Sequence, residues 1–492
     1  MLAVPRFRSS EVRGSGSCLF ATLAAVLAVV ASLTAQQVPD RSTAPVPGAP
    51  PILKLPPIQK RALGNGLPVW IVEMHEVPVA DTTVIIKAGA AADPAAKFGL
   101  ADFTAAMLDE GAGTRDALAI ADAVDFLGAS LGTGSSYDAS TVRLHTPVSK
   151  LDDALQILAD VLLRPTFPDA DLERLRKERL TFLLQMRDQP ASLASAAFAR
   201  LVFGPRHRYG TPRLGNEASN TEMSVADLKG FYSTYYQPQG AHVLVVGDVT
   251  ADSVLPKLER TLGAWKNTGA VPKTTVPAAP QHPGRQIYLV DKPNAAQSEI
   301  RIGGVGVARN TPDYFVLDVL NTILGGSFTS RLNQNLREEH GYAYGAGSVF
   351  DMRGSNGPFI ASAAVQTDKT VESLREMFKE LDGIHKPVPA DELAKARNLE
   401  ALGFPAGFET TTGMAGNLAE LVIYSLPESF FSEYVPTIQA VTAADLARAS
   451  GQYVPADKLA VVVVGDLAKI EKPIRDANLG PVKVVKVDEV LK

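Results

Sequence analysis

The chain has 492 residues, 46% apolar and 21% charged, so it can bury more than one core and is neither a disordered tail nor a short disulfide-held scaffold. A net charge of −5 with no run of one sign argues against a general nucleic-acid binder, whose footprint is a basic surface. The single cysteine, Cys18, leaves no internal disulfide and no cysteine zinc site to consider.

In chain order, Arg6, Arg8 and Arg13 precede an apolar run from Cys18 to Leu33 and small residues around Ala31 to Ala35. This is the layout of a secretory signal peptide over residues 1–35. The run is also near the lower length limit for a spanning helix, so an uncleaved anchor is the alternative. Cleavage after Ala35 would remove three Arg and one Glu and leave a cysteine-free chain of charge −7. Such a chain is expected in a bacterial periplasm, with no stable membrane insertion after cleavage. Residues 36–57, rich in Pro, Ala and Thr, read as a tether.

A first globular stretch covers residues 58–265. Pro68 to Glu73, Thr82 to Lys87 and Ala241 to Val246 are β-branched, strand-like runs. Gly99 to Leu108, Ala117 to Leu127, Leu151 to Leu163, Ala170 to Arg187, Ser192 to Val202, Ser224 to Tyr235 and Ser253 to Trp265 have helical spacing. Residues 266–285 carry Pro272, Pro277, Pro280 and Pro283 and read as a linker. A second globular stretch covers 286–470, followed by a C-terminal extension at 471–492.

The two stretches are related. SVADL at 224–228 and TAADL at 442–446 each precede a Tyr-x-Pro segment and then LVVGD or VVVGD, and Asp227-to-Asp248 and Asp445-to-Asp466 both span 21 residues. KFGLADF at 97–103 has a counterpart in YFVLDVL at 314–320. Irregular alternation of strands and helices favours α+β: two homologous domains, each an antiparallel sheet covered by helices.

LGNGLPVWIVEMHEVP at 63–78, AGAAADPAAKFGLADFTAAMLDEGAGT at 88–114, FYSTYYQPQGAHVLVVGD at 231–248 and GGSFTSRLNQNLREEHGYAYG at 325–345 together resemble the pitrilysin/insulinase family of zinc metallopeptidases. The resemblance implies an H-x-x-E-H motif on the helix opening at Gly99. Two His at i and i+4 share one helix face and hold zinc, and the Glu acts as base. Here those positions are Asp102, Ala105 and Ala106, and Leu180 to Arg187, where the resemblance expects the third ligand, holds no Glu or Asp. Asp102, Asp109 and Glu110 could gather around a hard cation, but a solvated helix end is the simpler expectation. No cofactor is therefore expected in this chain, and no peptidase activity from the chain alone.

The resemblance also implies an Arg and a Tyr seven residues apart in the second half, matched by Arg337 and Tyr344. Both are donors able to stabilise an oxyanion. Arg331 to Glu339 is expected to be a helix, with Gly341 at its left-handed end and Tyr344 opening a strand. Tyr342 is expected to face away from Tyr344 by strand alternation. Arg331 has the wrong spacing for Arg337's role.

The functional expectation is a non-catalytic subunit of a heterodimeric zinc peptidase. It would form part of a peptide-degrading chamber and act in trans to a homologous H-x-x-E-H-containing partner, which holds the zinc. Peptides are the expected substrates. The alternative is a purely structural or binding pseudo-peptidase.

Overall fold

The computed structural model describes residues 48–50 and 53–491. The proposed signal peptide and most of the tether lie outside the described residues.

In the first half, apart from a short hairpin pairing Gly111–Ala112 with Arg115–Asp116, the strands are β1 (Gln59–Ala62), β2 (Pro68–Glu73), β3 (Val79–Ile86), β4 (Ser130–Ser135), β5 (Ser140–Pro147) and β6 (Ala241–Gly247). These six form one sheet in the order β1-β2-β6-β3-β5-β4. The second half supplies β7 (Gln286–Asp291), β8 (Gln297–Val305), β9 (Ala343–Phe350), β10 (Pro358–Gln366), β11 (Ala460–Gly465) and β12 (Val482–Val485), in the order β9-β10-β8-β11-β7-β12. Five strands thus correspond one to one, in the same neighbour order.

The two-domain α+β reading holds, with one refinement: each sheet is mixed. β2 runs parallel to β6, from Val69↔Val243 to Glu73↔Gly247, and β7 runs parallel to β11, from Gln286↔Ala460 to Asp291↔Gly465. The parallel pairs join strands at opposite ends of each half, where a long crossover leaves strand direction free. The sixth strands differ, because β1 is antiparallel to β2 whereas β12 is parallel to β7.

The helices of the first half are α1 (Leu100–Ala106), α2 (Ala117–Phe126), α3 (Leu151–Leu163), α4 (Asp169–Asp188), α5 (Pro190–Phe203), α6 (Glu217–Glu222), α7 (Val225–Tyr235) and α8 (Ala251–Leu262). The second half carries α9 (Tyr314–Asn321), α10 (Thr370–Gly383), α11 (Ala390–Gly403), α12 (Thr411–Tyr424), α13 (Phe430–Ala440), α14 (Ala443–Tyr453), α15 (Leu467–Asp476) and α16 (Val487–Leu491). The repeated S/T-x-x-D segments are N-terminal caps. Ser224 and Thr442 each accept the N–H of the Asp three residues on, while Asp227 and Asp445 reach back to the cap N–H, closing a capping box at α7 and at α14.

β6 and β11 are valine-rich and nearly continuously apolar because both faces of these strands are buried. Alternate residues enter different cores. Val243 and Val245 pack under the first half's own helices, whereas Leu244 and Val246 join the core built mainly by the second half. In β11, Val461 and Val463 belong to that second core, whereas Val462 and Val464 pack against Leu193, Ala194, Ala197 and Phe198 of α5. The halves therefore exchange helices. α12, from the second half, lies across β6 and β3, and α5, from the first, lies across β8 and β11. Thr412 donates to Asp81, and the Tyr424 hydroxyl donates to Asp138 at 3.3 Å, along the same seam.

The boundary at 470 falls inside α15, and the C-terminal extension is integral: β12 completes the sheet edge and α16 packs on α5.

Candidate functional site

α1 starts at Gly99, whose φ of +99° only glycine adopts easily, and a Cβ there would meet the Leu214 carbonyl oxygen at 2.3 Å. Gly99 cannot cap with a side chain. The buried Asp93 carboxylate does this instead, accepting from the N–H of Gly99 at 2.7 Å and of Ala101 at 2.8 Å, and Arg208 holds it at 2.9 Å.

The three degenerate motif positions then fall on one short helix. Asp102 faces two guanidinium groups: Arg179 Nη1 on α4 lies 2.8 Å from Oδ1, and Arg213 Nε lies 2.9 Å from Oδ2. Arg179 also donates to the carbonyls of Gly99 and Leu214 and to Asn220, and stacks 4.6 Å from the Phe103 ring. Ala105 is fully buried and Ala106 half-buried.

This donor set does not fit the zinc that the resemblance implies. Two positions are methyl groups, and the one carboxylate is already neutralised by two cations that would repel a divalent metal. Asp102, Asp109 and Glu110 do not converge either. Asp109 accepts from Thr133 at 3.2 Å, with burial pushing its carboxyl above the usual range, and Glu110 pairs with Arg174. Among the described residues no three His, Cys, Asp or Glu side chains are grouped to hold a metal.

The second candidate pair sits beside the edge strand β9 of the second sheet. Arg331–Asn333 is α-helical and continues as a π-helical turn, Gln334–Glu339, a widening that sequence spacing does not signal. It stops at Gly341, φ +64°, where the N–H of Gly341 bonds to the Arg337 carbonyl and that of Tyr342 to the Leu336 carbonyl. β9 begins two residues later and carries Tyr344. The Arg337 guanidinium lies 5.1 Å from the Tyr344 ring centroid and 4.7 Å from that of Phe328, between two rings. Its ion-pair partner is the neighbouring Glu338, 3.2 Å away. Tyr344 is 86% exposed, and its hydroxyl makes no hydrogen bond among the described residues.

Tyr342 requires a correction. It precedes β9, and two residues apart on a strand would in any case share a face, so alternation does not separate it from Tyr344. What sets it apart is stacking: its ring lies on His340, 4.9 Å between centroids and 14° between planes. Arg331 forms a two-pronged pair with Glu392 and belongs to the helix packing.

Sequence reasoning missed Arg179, Arg213 and Phe328. The Gly325-Gly326-Ser327 segment before Phe328 is packed tightly. A Cβ on Gly325 would meet the Ser348 nitrogen at 2.2 Å. Gly325 thus permits close approach to β9 and Gly326 close approach to Asn321, and Phe328, which follows them, is exposed.

Residues 69–200 match the insulinase family, peptidase family M16, and residues 222–400 match the peptidase M16 inactive domain. The chain belongs to the M16 family. An uncharacterized zinc protease of Mycobacterium leprae is 27% identical over 305 residues, 62% of this chain and 68% of that protein. Among solved structures, the peptidase M16 inactive domain from Pseudomonas fluorescens superposes with a TM-score of 0.77 at 27% identity, over 83% of this chain and 98% of that one. A protease from Helicobacter pylori gives the same TM-score at 22% identity, over 83% of this chain and all of that one, and shares the fold. Set beside the motifs that the resemblance implies, this M16 chain carries Asp102, Ala105 and Ala106 on α1, and Arg337 and Tyr344 seven residues apart in its second half.

Proposed function

We propose that the chain is the non-catalytic subunit of a heterodimeric M16 zinc peptidase. A homologous partner supplies H-x-x-E-H and zinc. This chain forms part of the peptide-degrading chamber and supplies Arg337 and Tyr344 in trans. The reading includes export to a bacterial periplasm, supported by the layout of residues 1–35.

The observation that carries the reading is a contrast between the two candidate sites. On α1 both oxygens of the one carboxylate at the motif positions, Asp102, are taken by Arg179 and Arg213. Beside β9 a half-buried guanidinium, paired only with the neighbouring Glu338, lies against an exposed phenol whose hydroxyl has no partner among the described residues. A substrate carbonyl oxygen brought to that pair would gain two donors as negative charge develops on it, the condition for electrostatic stabilisation of a tetrahedral intermediate.

The test is co-purification with an H-x-x-E-H-bearing homologue, followed by kinetics of the pair. Tyr344→Phe is expected to lower kcat by about 10²–10³, the loss typical of one oxyanion donor, with KM, zinc content and assembly little changed. Tyr342→Phe is expected to behave as wild type. Equal, near-normal rates for both variants would leave the chain a structural or binding pseudo-peptidase.

A further inference from the structure

Beyond Arg179, α4 changes character. Leu180, Leu183 and Leu184 form one wall of a groove of about 830 Å³, with Pro212 and Ala218 opposite and Leu491 of α16 at one end. The volume is in the range of sites that take a ligand or a few side chains rather than a folded domain. Leu184 is 62% exposed, and its neighbour Phe182 is 52% exposed. Apolar side chains held this far into water on a well-formed helix are characteristic of a surface that another molecule covers.

The groove has a sign as well as a shape. Glu217 and Glu222 of α6 line it, and neither has an ion-pair partner among the described residues. The one cation lining it among the described residues, Arg187, is engaged with Asp488 at 2.6 Å. An apolar floor beside two uncompensated carboxylates complements a segment with aliphatic side chains next to lysine or arginine, and disfavours an acidic one. An extended or helical peptide supplies both features within a few residues.

We propose that this groove binds a short apolar-basic peptide segment without cleaving it. The proposal rests on the reading of the chain as a peptide-handling subunit, but it needs neither the partner nor Arg337 and Tyr344. The stretch where the resemblance expects a metal-binding carboxylate is here the apolar wall, so loss of the metal and gain of a binding surface fall on the same helix.

The test uses the full chain after signal removal and two fluorescein-labelled heptapeptides, KLLKLLK and ELLELLE, in fluorescence anisotropy. KLLKLLK is expected to bind saturably and ELLELLE at least tenfold more weakly. Leu184→Asp is expected to weaken KLLKLLK at least tenfold, as loss of one buried leucine contact implies. The double variant Glu217→Gln/Glu222→Gln is expected to weaken it about threefold to tenfold and to flatten its salt dependence. All four side chains changed or flanking here are on the surface, and Ala218→Trp, which fills the groove, gives an independent block. Absence of saturable binding, equal binding of the two peptides, or affinity unchanged by Leu184→Asp and by Ala218→Trp would overturn the proposal. Failure here with a Tyr344-dependent heterodimer intact removes the groove alone; saturable binding here while no H-x-x-E-H-bearing homologue co-purifies and Tyr344→Phe has no kinetic effect removes the heterodimer reading alone.

Discussion

Replacing Asp102 by alanine is the most direct perturbation of the rebuilt motif. The side chain is 16% exposed and Arg179 opposite it 11% exposed, so the pair is largely out of water, while Arg213 is 53% exposed. Breaking a buried pair by removing one partner costs about 3–5 kcal/mol, because the remaining charge stays buried without its counterion. Arg179 keeps its bonds to the carbonyls of Gly99 and Leu214 and to Asn220, which places the expected loss near the lower end, at about 3 kcal/mol. The half-exposed Arg213 contact adds less than about 1 kcal/mol. Urea unfolding of Asp102→Ala, Arg179→Met and the double variant reads this directly. The double variant is expected to lose clearly less than the two single losses added together, since each single change already breaks the shared contact. A loss below about 1 kcal/mol for Asp102→Ala, or strict additivity, would refute the claim that this ion pair ties α1 to α4.

Other expectations concern metal and protons. The purified chain is expected to retain far less than one zinc after dialysis and to unfold at the same urea concentration with and without EDTA; stoichiometric zinc with chelator-sensitive cleavage would contradict the reading of α1. His242 is buried against Trp70, with its Nε2 unpartnered, and burial together with the Lys87 and Lys60 charges lowers its pKa to about 4. The unfolded chain therefore takes up a proton at this site before the folded one does, and stability is lost as pH falls from about 6.5 towards about 4. His242→Phe should flatten that limb of the urea-midpoint profile, and an unchanged slope would show that the ring is not the group responsible.

Much of the fold is legible because its physics is local. The capping boxes at Ser224 and Thr442 and the valine-rich runs of β6 and β11 are written in consecutive residues, and their repetition reveals the duplication. The helix exchange is not legible. α5 and α12 have apolar faces like any packed helix, and nothing in their spacing tells which sheet they cover. The losses at Ala105 and Ala106 are plain in the sequence, whereas the replacement network is hidden, since Arg179 and Arg213 lie 77 and 111 residues beyond Asp102. Likewise Phe328 meets Arg337 only because a π-helical turn and two closely packed glycines bring them together.

The exchange of α5 and α12 sets an order of events during synthesis. β2, β3 and β6 are complete once residue 247 has been made, but the face bearing Leu244 and Val246 stays open until residues 411–424 arrive. For the intervening stretch of chain the nascent first half carries a bare aliphatic surface that it cannot cover from its own sequence. Its native state is thus reached only when nearly the whole polypeptide is available, and severing the linker at 266–285 before that point would strand both pieces with an uncovered sheet.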